Sequence, residues 1–269
     1  MKKKVLSLIL AITMISAMFV VSGCGKESEP ETITSDMTLV QGINPQYAPF
    51  TSVDGDGNVS GFDVELCQAL CEELGWNYKN AQLNWDEKDS ALLAGDCDCI
   101  WSAFPMEEHE DDYAFSVPYG TASQVVLVKK DSGLTTWDDL AGRMVAVQAG
   151  TAAYENLNSG VDADFAKTFS ALIVEVSAEL CFEDLNKGAI DAIIVDDTIA
   201  NYLIKDNPDE YVMMSENLGW NTYAVAFRKE DGELAKRVSE GLKKLMENGK
   251  FDEIASHYPE IKPFLSVGE

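Results

Sequence analysis

The sequence predicts an α/β fold in two lobes, each a mostly parallel sheet flanked by helices, with two hinge strands joining them. Short apolar segments rich in Val, Ile and Ala alternate with segments of helical period, a pattern that builds parallel sheets covered by helices. Two apolar segments, Gln124–Val128 and Thr222–Ala226, read as crossings between two sheet units, which would permit hinge closure. The expected lobes are 37–125 with 224–269, and 126–223. No internal repeat of fixed period is visible.

The first residues are read separately. Lys2, Lys3 and Lys4 precede an apolar run, Val5 to Val21, and then Val21-Ser22-Gly23-Cys24. Basic start, short apolar run and small residues before a cysteine read as a leader over 1–23 with a bacterial lipobox. Cleavage before Cys24 and acylation of its sulfur, palmitate included, would anchor the protein on the outer face of the cell membrane. The run is short for a membrane span and carries Ser7, Thr13 and Ser16. Residues 24–36 are polar, contain Pro30, and read as a flexible linker.

From Met37 the elements follow in order. Thr38–Ile43 reads as a strand, Asn44–Phe50 with its two prolines as a loop, and Asp54–Asn58 as a hairpin turn. The turn imitates a calcium loop, but Val59 stands where the bend needs glycine, so no metal is expected. Gly61–Leu74 places Val64, Cys67, Leu70, Cys71 and Leu74 on one helical face, with Glu72 and Glu73 opposite and Gly75 as a stop. Tyr78–Trp85 reads as a strand, Asp86–Ala94 as a helix ended by Gly95, and Cys97–Trp101 as a buried strand. Gln124–Lys130, Arg143–Gln148, Leu172–Val176, Ala189–Val195, Tyr211–Met214 and Asn221–Arg228 read as strands. Thr136–Ala141, Ala152–Asn158, Ala178–Lys187, Thr198–Lys205, Glu233–Glu247 and Phe251–His257 read as helices.

The formal net charge is −26. Loss of residues 1–23 removes three lysines and no acid, leaving 17 bases against 46 acids, a net of −29. That balance argues against nucleic acid and anionic lipid as partners. Of the cysteines after Cys24, Cys67 and Cys71 share an apolar helical face and Cys97 and Cys99 share a strand. All five, with Cys181, read as small buried hydrophobes.

Several residues could handle a small zwitterion. An ammonium needs a carboxylate, and a carboxylate needs Arg or backbone N–H groups. Asp196 ends a strand, where open α/β sheets bind ligands, although it could equally cap the helix that follows. Gly150 and Thr151 open a helix or form an ordinary turn, and Tyr47 sits on a proline-flanked loop.

The wording of Gly61–Leu74 resembles, without gaps, the helix signature of family 3 solute-binding proteins, which feed polar amino acids to ABC importers. Phe115-Ser116-Val117-Pro118-Tyr119, Val145 to Thr151 and Asp191 to Asp196 resemble further motifs of that family, and the resemblance covers Met37 to Tyr258. It implies a periplasmic-binding-protein-like (type II) fold. It also implies a monomeric, non-enzymatic receptor that passes a small polar solute to ABC permease subunits, without a cofactor. By resemblance, Asp196 takes the ligand ammonium and Tyr47 stacks on the ligand. Asn44 lies near the ligand side chain, and Phe50 belongs to the ligand-touching loop. Trp101, Ser102 and Ala103 belong to the adjoining strand end. Gln148, Thr151 and Ala152 contact the ligand from the second lobe. A dehydratase-like cleft enzyme of the same fold and a lipoprotein sensor module are the alternatives.

One stretch departs from the family. Where it carries Thr and Arg for the ligand's amine and carboxylate, this chain has Pro105 and His109. The carboxylate anchor is therefore expected to be atypical. A protonated imidazole at His109, beside Glu107, Glu108, Glu110, Asp111 and Asp112, would replace a guanidinium only in part.

Overall fold

A computed structural model describes residues 36–214 and 219–268. The expected leader, the lipidation site Cys24 and the linker as far as residue 35 lie outside the described residues. Among the described residues no helix is long and apolar enough to cross a membrane.

Strand β1 (Thr38–Ile43) is followed by the short strands β2 (Gln46–Tyr47), β3 (Thr51–Val53) and β4 (Val59–Ser60). These three form a small antiparallel sheet. In its turn the Asp54 carboxylate accepts the N–H groups of Asp56 and Asn58. Gly61 then starts helix α1 (Phe62–Leu74) at φ 128°, and a Cβ there would lie 2.2 Å from the Phe50 carbonyl oxygen. Only glycine fits that approach. As expected, α1 ends at Gly75, in the left-handed conformation.

The chain continues through β5 (Asn77–Gln82), α2 (Lys88–Ala94), β6 (Cys99–Ile100) and β7 (Ala114–Phe115). It leaves along β8 (Gly120–Lys129). The second unit holds β9 (Met144–Gln148), α3 (Ala152–Asn158), α4 (Ala163–Ala166), β10 (Ala171–Glu175), α5 (Ala178–Lys187), β11 (Ala192–Asp196), α6 (Asp197–Ile204) and β12 (Tyr211–Met213). The return runs through β13 (Trp220–Tyr223) and β14 (Ala226–Phe227) to α7 (Gly232–Glu247) and α8 (Lys250–Ala255).

Two larger sheets result, with orders β5-β1-β6-β14-β7 and β10-β9-β11-β8-β12. In the first, β1 is parallel to β5 and β6 and β14 is antiparallel; in the second, β9 is parallel to β10 and β11 and β8 is antiparallel. The crossings lie side by side: Gly120–Ser123 of β8 pairs with Tyr223–Trp220 of β13. Residues Gln124–Val128, expected as a crossing, pair instead with β11 inside the second sheet. The reason is burial. Val126, Leu127 and Val128 are fully buried, and each such side chain contributes about 1.5–3 kcal/mol when packed in a core.

Other differences from expectation have local causes. Asn221–Arg228 splits into β13 and β14 because the chain changes sheets between them. There the Ala224 N–H bonds to the Phe104 carbonyl and the Val225 N–H to Ser116 Oγ. Strand β6 covers only Cys99–Ile100, although the Asp98 N–H still donates to the Val40 carbonyl and the Trp101 N–H to the Gly42 carbonyl on either side of it. Trp85 leaves β5 for a 3-10 turn ahead of α2. Thr136 caps the expected short helix, a 3-10 turn over Trp137–Leu140, through a capping box with Asp139. The first core joins α1 to the closing helices, with Phe62 edge-on to Phe251 at 5.7 Å. Cys67, Cys71, Cys97, Cys99 and Cys181 are free and buried.

Candidate functional site

Between the sheets lies a cavity of about 30 Å³, room for about two waters. Tyr47, Ser102, Ala103 and His109 line it from the first sheet's side, and Thr151, Ala152 and Asp196 face them. The structure thus brings seven of the expected residues to one wall or the other.

Asp196 ends β11 and is 7% exposed. It stands at the cap position of α6, yet its side chain makes no cap hydrogen bond. Oδ2 accepts from the hydroxyls of Tyr47 at 3.0 Å and Tyr223 at 2.6 Å, and Oδ1 from Asn221 Nδ2 at 3.0 Å. Burial raises its pKa, while the Tyr223, Tyr47 and Asn221 donors oppose the rise. Burial first, then the Asp196 charge, pushes both phenols well above their ordinary 10, which keeps them protonated as donors. Three donors thus hold a buried carboxylate at the cavity wall.

Tyr47 belongs to β2, so its bond to Asp196 bridges the two sides. Two more bonds do the same: Trp85 Nε1 donates to the Gly150 carbonyl at 3.0 Å, and Gln148 Nε2 to the Gln46 carbonyl at 3.2 Å. The hinge strands carry their own ties. Ser123 N–H donates to Asp197 Oδ1, and Thr222 N–H to Glu107 Oε2 at 2.7 Å. Burial lifts the Asp197 carboxyl to about 6, against the opposing Ser123 N–H.

Under the first wall, Ala103 adopts φ 45°, and its N–H donates to Asp63 Oδ2 at 2.6 Å and to the Tyr119 hydroxyl at 3.1 Å. His109 is half-buried, with its ring 5.3 Å from that of Phe104. Of the acidic run beside it, Glu107 turns to the hinge, while Glu108, Glu110, Asp111 and Asp112 are exposed. Thr151 caps α3: its hydroxyl accepts the Tyr154 N–H and donates to the Gln148 carbonyl.

The other four expected residues sit behind the wall. Asn44 is buried, and its Oδ1 accepts the Gln46 N–H. Phe50 packs against Tyr47, Phe62 and Tyr223. Trp101 is fully buried near Tyr119. Gln148 spends its amide on the Gln46 and Val176 carbonyls. Trp85, Lys88, Phe104, Glu155 and Asn221 line the cavity without having been singled out in sequence. The signal available for Trp85 and Lys88 was their i, i+3 spacing ahead of a helix, which also fits an exposed turn.

The family model described as bacterial extracellular solute-binding proteins, family 3, matches residues 39–260. The arginine-binding extracellular protein ArtP of Bacillus subtilis (strain 168) is 29% identical over 94% of this chain and 96% of its own length. A histidine-bound substrate-binding protein of an ABC uptake transporter from Streptococcus pneumoniae superposes with a TM-score of 0.76. The two are 28% identical, over 82% of this chain and 92% of that one. An ancestral amino acid-binding protein, a precursor of cyclohexadienyl dehydratase, superposes with a TM-score of 0.72 at 29% identity, covering 82% and 94%. These likenesses identify the architecture as the two-lobed, type II periplasmic-binding-protein fold. With the family model spanning both sheets and the cavity between them, the chain belongs to the bacterial extracellular solute-binding proteins, family 3.

Proposed function

We propose that this protein is the extracytoplasmic substrate-binding component of an ABC importer, and that its cleft takes a free amino acid or a close analogue. The observation that carries the reading is Asp196, a buried carboxylate aimed into a cavity between two lobes and faced by Tyr47. The ligand ammonium binds Asp196, and Tyr47 covers the ligand from the opposite lobe. His109, on the Phe104 ring, forms the wall where the family carries arginine. Thr151 and Ala152 contact the ligand from the second lobe. Relatives that take arginine and histidine support the amino-acid class. The lobes, 37–125 with 224–269 and 126–223, close about the paired crossings, and the ligand biases that equilibrium by bridging them. Acylation at Cys24 holds the protein at the membrane as a monomer beside its permease subunits.

The test is calorimetric titration of the purified protein with each standard amino acid. Micromolar or tighter binding of at least one is expected; binding of none refutes the reading. Because one similar structure is a dehydratase precursor, the same samples are followed by mass spectrometry. Recovery of the ligand unchanged is expected, and turnover would favour the cleft-enzyme alternative.

A further inference from the structure

Lys88 is the first residue of α2 and is only 7% exposed. Its side chain lines the cavity, and its ammonium lies 5.5 Å from the Trp85 ring centroid and 6.0 Å from that of Phe104, two residues that line the same cavity. Among the described residues no carboxylate lies within ion-pair distance of Nζ, and no hydrogen-bond acceptor meets it. Lysines are rarely buried without a partner. Attraction to aromatic faces is weaker than the cost of removing an ammonium from water. The balance calls for an anion in the cavity.

The rest of the site says which anion. Lys88 is the only lysine or arginine lining this cavity among the described residues. The three arginines are committed elsewhere, Arg143 to Asp191, Arg228 to Asp231 and Arg237 to Glu240. The facing wall holds the buried Asp196 carboxylate. Lys88 and Asp196 on opposite walls match the two charges of a zwitterion, and the half-buried Glu155 is a second acid in the lining. Trp85, which flanks Lys88, also donates across the cleft to the Gly150 carbonyl, so closure seals the ammonium inside. We propose that Lys88 holds the carboxylate group of the ligand, in the role Pro105 and His109 leave open. This rests on the amino-acid reading above.

The test pairs each amino acid that binds with its α-carboxamide, which keeps the ammonium and side chain but lacks the negative charge. Calorimetry is run on the wild type, Lys88→Met and His109→Ala. The wild type is expected to favour the acid over the amide by roughly 10²-fold or more. Lys88→Met should bring that preference to within about 3-fold, and His109→Ala should leave most of it. Without ligand, Lys88→Met should melt no lower than the wild type, because an apolar stem replaces an unpaired charge at the cavity wall. A preference kept by Lys88→Met, or lost instead in His109→Ala, overturns the proposal while the amino-acid reading stands. Wild-type protein that binds no amino acid overturns both. A ligand-free Lys88→Met that melts well below wild type would contradict the premise that the Lys88 charge is unpaired in the empty cavity.

Discussion

Replacing Asp63 with Asn should remove a pH dependence of stability that one buried carboxylate imposes. Asp63 lies in the first turn of α1 and is fully buried. Its Oδ2 accepts from the Ala103 N–H and the Tyr119 hydroxyl, and its Oδ1 has no partner among the described residues. Burial raises its pKa from 3.8 to about 7, against the opposing pull of Ala103, Tyr119 and the nearby Trp101. Between these values the folded protein keeps a proton that the unfolded chain has released. Stability from this group is therefore full below pH 4, falls as pH rises towards 7, and is level above. At 1.36 kcal/mol per pH unit the interval amounts to about 4 kcal/mol. Asparagine keeps an acceptor for Ala103 and cannot ionise. Urea unfolding of both proteins from pH 4 to pH 8 should show wild type losing about 4 kcal/mol relative to Asp63→Asn. Asp196 and Asp197 titrate in both proteins, so they drop out of the difference. Parallel stability curves would refute the reasoning.

Three further outcomes are expected. Gly150 adopts φ 67°, and a Cβ there would lie 2.9 Å from Asp86 Oδ1 and from Trp85 Cδ1 on the facing lobe. Gly150→Ala should thus cost about 1–2 kcal/mol of backbone strain and oppose closure, lowering ligand affinity roughly tenfold by calorimetry; unchanged affinity counts against the closed geometry. Trp85→Phe removes the bond to the Gly150 carbonyl, a loss of about 0.5–1.5 kcal/mol. Stopped-flow release should quicken several-fold, and an unaltered rate would deny that bond a part in closure. Cys67, Cys71, Cys97, Cys99 and Cys181 are free and buried, and burial is the largest cause raising the Cys99 and Cys181 thiols, the latter to about 12. A thiol reagent should leave all five unmodified in folded protein and label all five in urea. Labelling of any of them without unfolding would contradict the packing.

Much of the architecture was legible because binary pattern and stop signals agree. The apolar face and terminal Gly75 of α1, and Ser177 capping α5 before Gly188, specify those elements locally. Asp196 was legible as an acid at a strand end, although sequence alone could not separate a cap from a binding group. Its side chain points to Tyr47, Tyr223 and Asn221, which come from distant parts of the chain. Lys88 was hidden for the same kind of reason. Its own helix is short, and its burial depends on Phe104 arriving from another segment. Asn44 and Gln148 carry suitable chemistry, but backbone groups of neighbouring loops take the Asn44 amide oxygen and the Gln148 amide N–H groups. Such competition leaves no trace in residue spacing.

Distance measurement between spin labels on the two lobes tests the clamp most directly. Leu93 on α2 and Val161 beyond α3 are 74% and 78% exposed, and the native thiols among the described residues are buried, so cysteines introduced at these two sites would be labelled selectively in protein lacking residues 1–35. A saturating amino acid should shorten and narrow the distance distribution, and Asp196→Asn should abolish that response. Identical distributions with and without bound amino acid would contradict a cleft that closes on its ligand.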